Sequence, residues 1–206
     1  MSKKEPYDLK FSMFLIGDVG IGKTKSLVRY LKNYYSEDVY ENAFYDYRTK
    51  MLNIDRRRIK LLIFNNFSRF MDDQCKCKSL KYAHGIVLAY SITNRSSFEF
   101  LQQWLRVIHE HEDKKFKIIL VGTKCDDENG RQVSTEEGKE LAQSIGVKFM
   151  EVSAKNDINI TEMFETLAMD IVMDFDQEQH QQPEQEQQNE VRKKDEMSQQ
   201  SSCSLL

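Results

Sequence analysis

Residues 11–24 read FSMFLIGDVGIGKT, and the fold hangs on their order. A short apolar run, residues 11–16, stops at a glycine as a central strand does. The next eight residues, Gly17-Asp18-Val19-Gly20-Ile21-Gly22-Lys23-Thr24, fit the pattern G-x-x-x-x-G-K-[ST]. Glycines in such a loop let successive backbone N–H groups curl around an anion, and the N-terminus of the helix that follows adds partial positive charge. Lys23 is then placed to reach the β- and γ-phosphates, and the Thr24 hydroxyl to ligate Mg²⁺. Strand before and helix after supply the required context, so the sequence predicts a bound nucleoside polyphosphate.

Working outward, apolar strands alternate with helical patterns up to about Asp174. Residues 24–34 read as a helix with Leu27, Val28 and Leu31 on one face. Residues 43–52 and 58–64 read as strands around the polar turn NIDRR, and GIVLAY (85–90), FKIILV (116–121) and GVKFMEV (146–152) as further strands. Between the first two of these, residues 97–111 read as one long helix burying Phe98, Leu101, Leu105 and Ile108. Asn159 and Glu162 resemble a capping box opening a last helix, whose stripe is Met163, Phe164, Leu167, Ala168, Ile171 and Val172. Strands that are apolar throughout, alternating with helices, predict an α/β fold: a mostly parallel sheet covered on both faces. After Asp174 the composition turns Gln/Glu-rich (DQEQHQQPEQEQQNE) with no apolar period, which predicts a disordered tail.

Composition excludes several classes. The 206 residues suit one domain plus a tail. A formal charge of -3 argues against nucleic acid as a partner. No apolar run is long enough to span a bilayer, and the start, MSKKEPYD, lacks a signal-peptide core. The four cysteines form no disulfide framework. Cys75-Lys76-Cys77 is at most half a metal site, because no second Cys/His pair accompanies it.

Two later triplets specify the base. Gly122-Thr123-Lys124-Cys125-Asp126 follows a strand, and the Asp126 carboxylate there can accept from guanine N1–H and its exocyclic amine, a donor pair adenine lacks. Lys124 can lay its stem over the ring. Ser153-Ala154-Lys155 follows the next strand, with a backbone N–H for the guanine carbonyl. With these motifs in order, the chain resembles the Ras-like small GTPases, most closely the Rab family, over about residues 7–175. Ala83-His84-Gly85-Ile86-Val87 and the segment 98–104 share the likeness; Thr123 stands where the family usually has Asn. The resemblance implies a P-loop NTPase G domain with a six-stranded, mostly parallel sheet in residues 7–175, a tail in 176–206, and GTP or GDP with Mg²⁺ as ligands. It also places Tyr35 across the guanine ring.

The resemblance frames a departure. NNFSRF (65–70) falls where the family carries Asp-Thr-Ala-Gly-Gln-Glu. Asn65 stands at the Mg²⁺-supporting carboxylate, Ser68 at the glycine that senses the γ-phosphate, and Arg69 at the water-positioning glutamine. A guanidinium has donors only and cannot accept a proton from water. Val19 adds a branched side chain beside the γ-phosphate, and the Mg²⁺-ligating threonine of the first switch falls at Asn42. Arg69 together with the acid missing at Asn65 shifts the local charge toward positive, which would partly stand in for Mg²⁺. Slow or absent GTP hydrolysis follows, with a non-hydrolysing nucleotide-bound membrane adaptor as the alternative. An ATP-using phosphotransferase is opposed by Asp126 and Ser153-Ala154-Lys155.

The chain ends in Cys203-Ser204-Leu205-Leu206, a C-a-a-X box with Leu at X, which reads as geranylgeranylation of Cys203. One lipid anchors only marginally, and Arg192-Lys193-Lys194 is the available basic support amid seven acids in residues 176–196. The expectation is a monomer on the cytoplasmic face of intracellular membranes or the cell membrane, with a cytosolic pool. Prenylation and extraction machinery, exchange factors and effectors are the implied partners, the last two at residues 40–50 and 65–82. The aromatics Phe44, Tyr45, Tyr47, Phe67 and Phe70 mark that face or, equally, the core.

Overall fold

The computed structural model describes residues 6–38, 47–67, 80–110 and 116–179. Asn42, Phe44, Tyr45, Ser68, Arg69, Phe70, Cys75, Cys77, Arg192, Lys193, Lys194 and Cys203 lie outside them, as do parts of the expected partner face at 40–50 and 65–82. By contacts the chain divides into two units, Met1–Ile171 and Val172–Leu206. The first holds β1 (Leu9–Gly17), α1 (Lys23–Lys32), β2 (Tyr47–Ile54), β3 (Arg57–Phe67), β4 (Gly85–Ser91), α2 (Arg95–Glu99), α3 (Leu101–His109), β5 (Lys117–Thr123), a 3-10 turn (Glu128–Gly130), α4 (Thr135–Ser144) and β6 (Lys148–Val152). Its last element is α5, residues 160–171; in the second unit residues 172–179 are helical.

The strands form a six-stranded sheet ordered β2-β3-β1-β4-β5-β6. All neighbours are parallel except β2, which runs antiparallel to β3. The β2–β3 hairpin turns on Asp55 and Arg56, at φ 50° and 64°. Two successive positive φ values match the twist of a two-residue hairpin, so β2 runs on to Ile54 and β3 begins at Arg57, both closer to the turn than the apolar pattern suggests. β4 is buried along its whole length. Its alternate residues serve opposite faces: Ile86, Leu88 and Tyr90 join Leu101, Trp104 and Ala142 under α3 and α4. On the other face a Cβ at Gly85 would strike Ile171 and Leu167 of α5, and Tyr30 of α1 stacks on Phe164 at 4.3 Å. Helices therefore cover both faces, as the all-apolar strands require.

Four local expectations are corrected. The buried face of α1 is Ser26, Leu27 and Tyr30, with Val28 and Leu31 only half-buried. The helix expected at 97–111 is two, α2 and α3, meeting at Phe100; Asn94 caps the first by accepting from Ser97 N–H at 3.2 Å. Asn159 forms no capping box: its φ is 55° and its amide donates to the Glu151 carbonyl at 2.8 Å. The capping box is instead at Ser134 and Glu137, opening α4, a helix the apolar pattern did not announce. α4 buries only Gly138 and Ala142. A Cβ at Gly138 would lie 2.5 Å from Phe149 Cζ and Tyr90 Oη, so a glycine lets this polar helix lie close on the sheet.

Glu137 also pairs with Arg95 of α2. The Arg95 guanidinium first, and the Ser134 N–H and hydroxyl after it, hold the Glu137 carboxyl down to about 2 from 4.5. Because the folded pKa is depressed, this contribution to stability is complete above pH 4.5 and is lost as pH falls through about 2. Glu137→Gln is expected to lower the melting temperature at neutral pH, the gap to wild type closing as pH falls below 4.5. A gap that stays constant in melts across that range contradicts the assignment.

Candidate nucleotide-binding site

In a sheet with this order, the loops after β1, β5 and β6 leave the same edge, where ligands of parallel sheets bind. They surround a cleft of about 670 Å³. Of the residues expected to bind nucleotide, Val19, Gly20, Ile21, Gly22, Thr24, Tyr35, Thr123, Lys124, Asp126, Ala154 and Lys155 line it. Gly17, Asp18, Lys23 and Ser153 stand behind that lining and shape it.

The phosphate loop is held by its own polar groups. Gly20 and Gly22 take φ 76° and 104°, which a side chain would resist. Lys23, 2% exposed, donates from Nζ to the carbonyls of Gly17 at 3.1 Å and Asp18 at 2.6 Å. The Asp18 carboxylate accepts from the Val19 N–H at 2.7 Å, and Val19 stands 45% exposed at the rim. These contacts hold the buried ammonium against the loop's own carbonyls and occupy the Val19 N–H with the Asp18 carboxylate, in a loop and helix start of the kind that receives phosphate.

The base end is tied at several points. The Thr123 hydroxyl faces two carbonyls, Ile21 O in the phosphate loop and Tyr90 O in β4 at 2.9 Å. Thr in place of the family's Asn thus keeps a link between the base motif and the phosphate loop. Lys124 takes a positive φ of 63°, and the next N–H, of Cys125, donates to Val152 O at 3.2 Å. Burial, then the charges of Glu151 and Asp126, raise the Cys125 thiol to about 11, so it stays an unreactive thiol. Ser153 Oγ donates to Asp126 Oδ1 at 2.6 Å and accepts from the Asn156 N–H at 3.0 Å, fixing the carboxylate that is to read the base.

Three residues not foreseen complete this end. Arg29 of α1 donates from Nε to Ala154 O at 2.8 Å and from Nη2 to Lys155 O at 3.1 Å. A fork of donors on two successive carbonyls fixes the peptide planes of the Ser-Ala-Lys loop. Tyr35 lies under two cations, Lys25 Nζ at 5.4 Å and Arg29 Cζ at 5.9 Å from its ring centre. Its hydroxyl donates to Glu37, which also pairs with Lys25. Desolvation first, then that hydrogen bond, push the Tyr35 phenol up to about 12, and Lys25 and Tyr35 lower Glu37. Arg29 and Glu37 carry no motif of their own; partners more than a hundred positions away give Arg29 its role.

The opposite end is built differently. Asn65 Nδ2 donates to Thr24 Oγ1 at 3.2 Å. A cation on Thr24 would meet the positive end of an amide dipole there, where the family has a carboxylate. Among the described residues no group of three or more His, Cys, Asp or Glu side chains is placed to hold a metal. At position 65 the site offers Thr24 an amide donor and no carboxylate to support a magnesium ion.

The family model described as Ras family matches residues 12–173. Ras-related protein Rab-8A of Gallus gallus is 40% identical over 165 residues, 80% of each chain. Ras-related protein Rab-8B of Homo sapiens is 35% identical over 208 residues, 97% of this chain and 98% of its own.

Arg29→Ala is expected to speed release of guanine nucleotide by about tenfold or more, the equivalent of losing one charged hydrogen bond. Arg29→Lys should fall between, since an ammonium cannot fork to both carbonyls. Stopped-flow displacement of a fluorescent GDP measures this; an unchanged rate in Arg29→Ala would remove Arg29 from the site.

Proposed function

The chain belongs to the Ras family as a Rab-like small GTPase, and from that premise we propose that it keeps guanine nucleotide while hydrolysing GTP slowly or not at all. Members of this family bind GTP or GDP with Mg²⁺ and act in vesicle trafficking. What supports slow turnover is the contrast between the two ends of one cleft. The base end is braced by Arg29, Thr123 and Ser153. At the phosphate end a neutral amide, Asn65, meets Thr24, and the branched Val19 stands at the rim. Electrostatic stabilisation of the transferring phosphoryl group carries most of the catalysis in this reaction class, and Asn65 lacks the charge to support it. Arg69, at the family's water-positioning glutamine, would add a separate deficit, because a guanidinium has donors only and cannot accept a proton from the attacking water.

Single-turnover hydrolysis on purified protein tests the proposal. Wild type is expected well below roughly 3–5 × 10⁻⁴ s⁻¹, the intrinsic rate of Ras itself. Asn65→Asp and Arg69→Gln together should raise it more than either alone. A wild-type rate in the ordinary range would refute slow turnover, and no detectable turnover in any variant would favour the adaptor form.

We assign residues 7–175 to the G domain and 176–206 to the tail, with the lipid on Cys203. Among the described residues no helix is long and apolar enough to cross a membrane, so the lipid would supply the attachment. Exchange factors and effectors would engage the surface of residues 40–50 and 65–82. With a single prenyl anchor, binding would be reversible and a soluble pool would coexist. Cys203→Ser is expected to move the protein wholly into the soluble fraction after cell lysis; retention on membranes would exclude the lipid as anchor.

A further inference from the structure

The contact between Thr24 and Asn65 joins residues 41 positions apart, the second residue of α1 and the end of β3. The approach of Asn65 is fixed by the residue before it. Phe64 pairs with Phe14 of β1 on one side and with Tyr47 of β2 on the other. Its ring stacks on Phe14 at 4.7 Å, with 8° between planes, and lies 5.5 Å from the Tyr47 ring. Thr24 in turn is fixed by the helix it opens and by the loop before it. The two side chains meet where the β1–β3 register shifts, just past the Phe14–Phe64 pair, and they need no third atom to bridge them.

A carboxylate at position 65 could only accept, so it would be drawn to a cation or to a hydroxyl proton. An amide donates directly to the Thr24 oxygen and brings no negative charge. Without that charge, position 65 adds no acid for a divalent ion to offset, and the Lys23 ammonium, resting on the Gly17 and Asp18 carbonyls, is the cation at the phosphate end, set against the Asp18 carboxylate of the loop. We propose that the Asn65–Thr24 hydrogen bond is a metal-independent clasp. It ties β3 to the phosphate-loop helix in the way a carboxylate and a magnesium ion together would, and it makes retention of guanine nucleotide independent of divalent cations. The inference rests on the guanine-nucleotide proposal above and adds the manner of retention.

Release of a fluorescent GDP from the full-length protein, in excess Mg²⁺ and in excess EDTA, tests it. Wild type is expected to release at rates within about twofold of each other, against the 10–100-fold cost typical when a metal loses a supporting partner. Asn65→Asp should gain EDTA sensitivity of roughly tenfold or more, because the carboxylate restores the need for the ion. Asn65→Ala, checked for folding by thermal melt, should release faster by the same factor in both buffers. Wild-type release accelerated about tenfold by EDTA would overturn the clasp and leave nucleotide binding standing. Asn65→Ala releasing at the wild-type rate would overturn it too. Failure of the wild type to bind the GDP probe, with or without Mg²⁺, would overturn the guanine-nucleotide reading itself and the clasp with it.

Discussion

The Thr123 hydroxyl, 4% exposed at the end of β5, offers its proton to two carbonyls that belong to different parts of the cleft. Ile21 lies in the phosphate loop and Tyr90 in β4. A buried hydroxyl without an acceptor is costly, so the phosphate loop and β4 are held at the spacing that lets this one donor serve. Around that point the other restraints close: Lys23 curls the loop onto its own carbonyls, and Ser153 aims Asp126. The cleft is a set of loop ends held in register by buried polar bonds across a parallel sheet.

The same cleft is uneven in chemistry. Toward the base its bonds run between charged or hydroxyl groups and fixed carbonyls, and they brace the loops against movement. Arg131 extends this by forking onto Glu151 of β6 and Glu128 of the adjoining turn, which ties the base loops to each other. Toward the phosphates, Asn65 of β3 meets Thr24 of α1 through an amide–hydroxyl bond. Under the proposed function, a protein arranged this way would distinguish its ligand by the base and hold it, with little provision for charge that develops during phosphoryl transfer.

Much of this was legible beforehand because the informative residues are local in sequence. GDVGIGKT needs only its own glycines and the helix after it, and the all-apolar β4 announces a strand covered on both faces whatever packs there. What escaped were features whose cause lies elsewhere in the chain. α4 reads as polar sequence interrupted by a glycine, and Gly138 makes sense only once Phe149 and Tyr90 are seen 2.5 Å from its missing Cβ. Asn159 carried the letter pattern of a cap, yet just before α5 it takes a positive φ of 55° and its amide turns to Glu151 on β6. Tyr30 faces the core because Phe164 waits to stack with it.

The sequence by itself determined the layered α/β fold, the phosphate loop, the preference for guanine and the replacement of the family's acid by Asn65. These are matters of residue type at fixed spacing, and hydrophobic periodicity and donor–acceptor complementarity act over a few residues. Only the tertiary structure decided that Arg29 braces the Ser-Ala-Lys loop, that Lys25 and Glu37 enclose Tyr35, and that Asn65 reaches Thr24 directly. A hydrogen bond depends on ångströms and angles between atoms the chain brings together from afar, and no reading of composition or order supplies those distances.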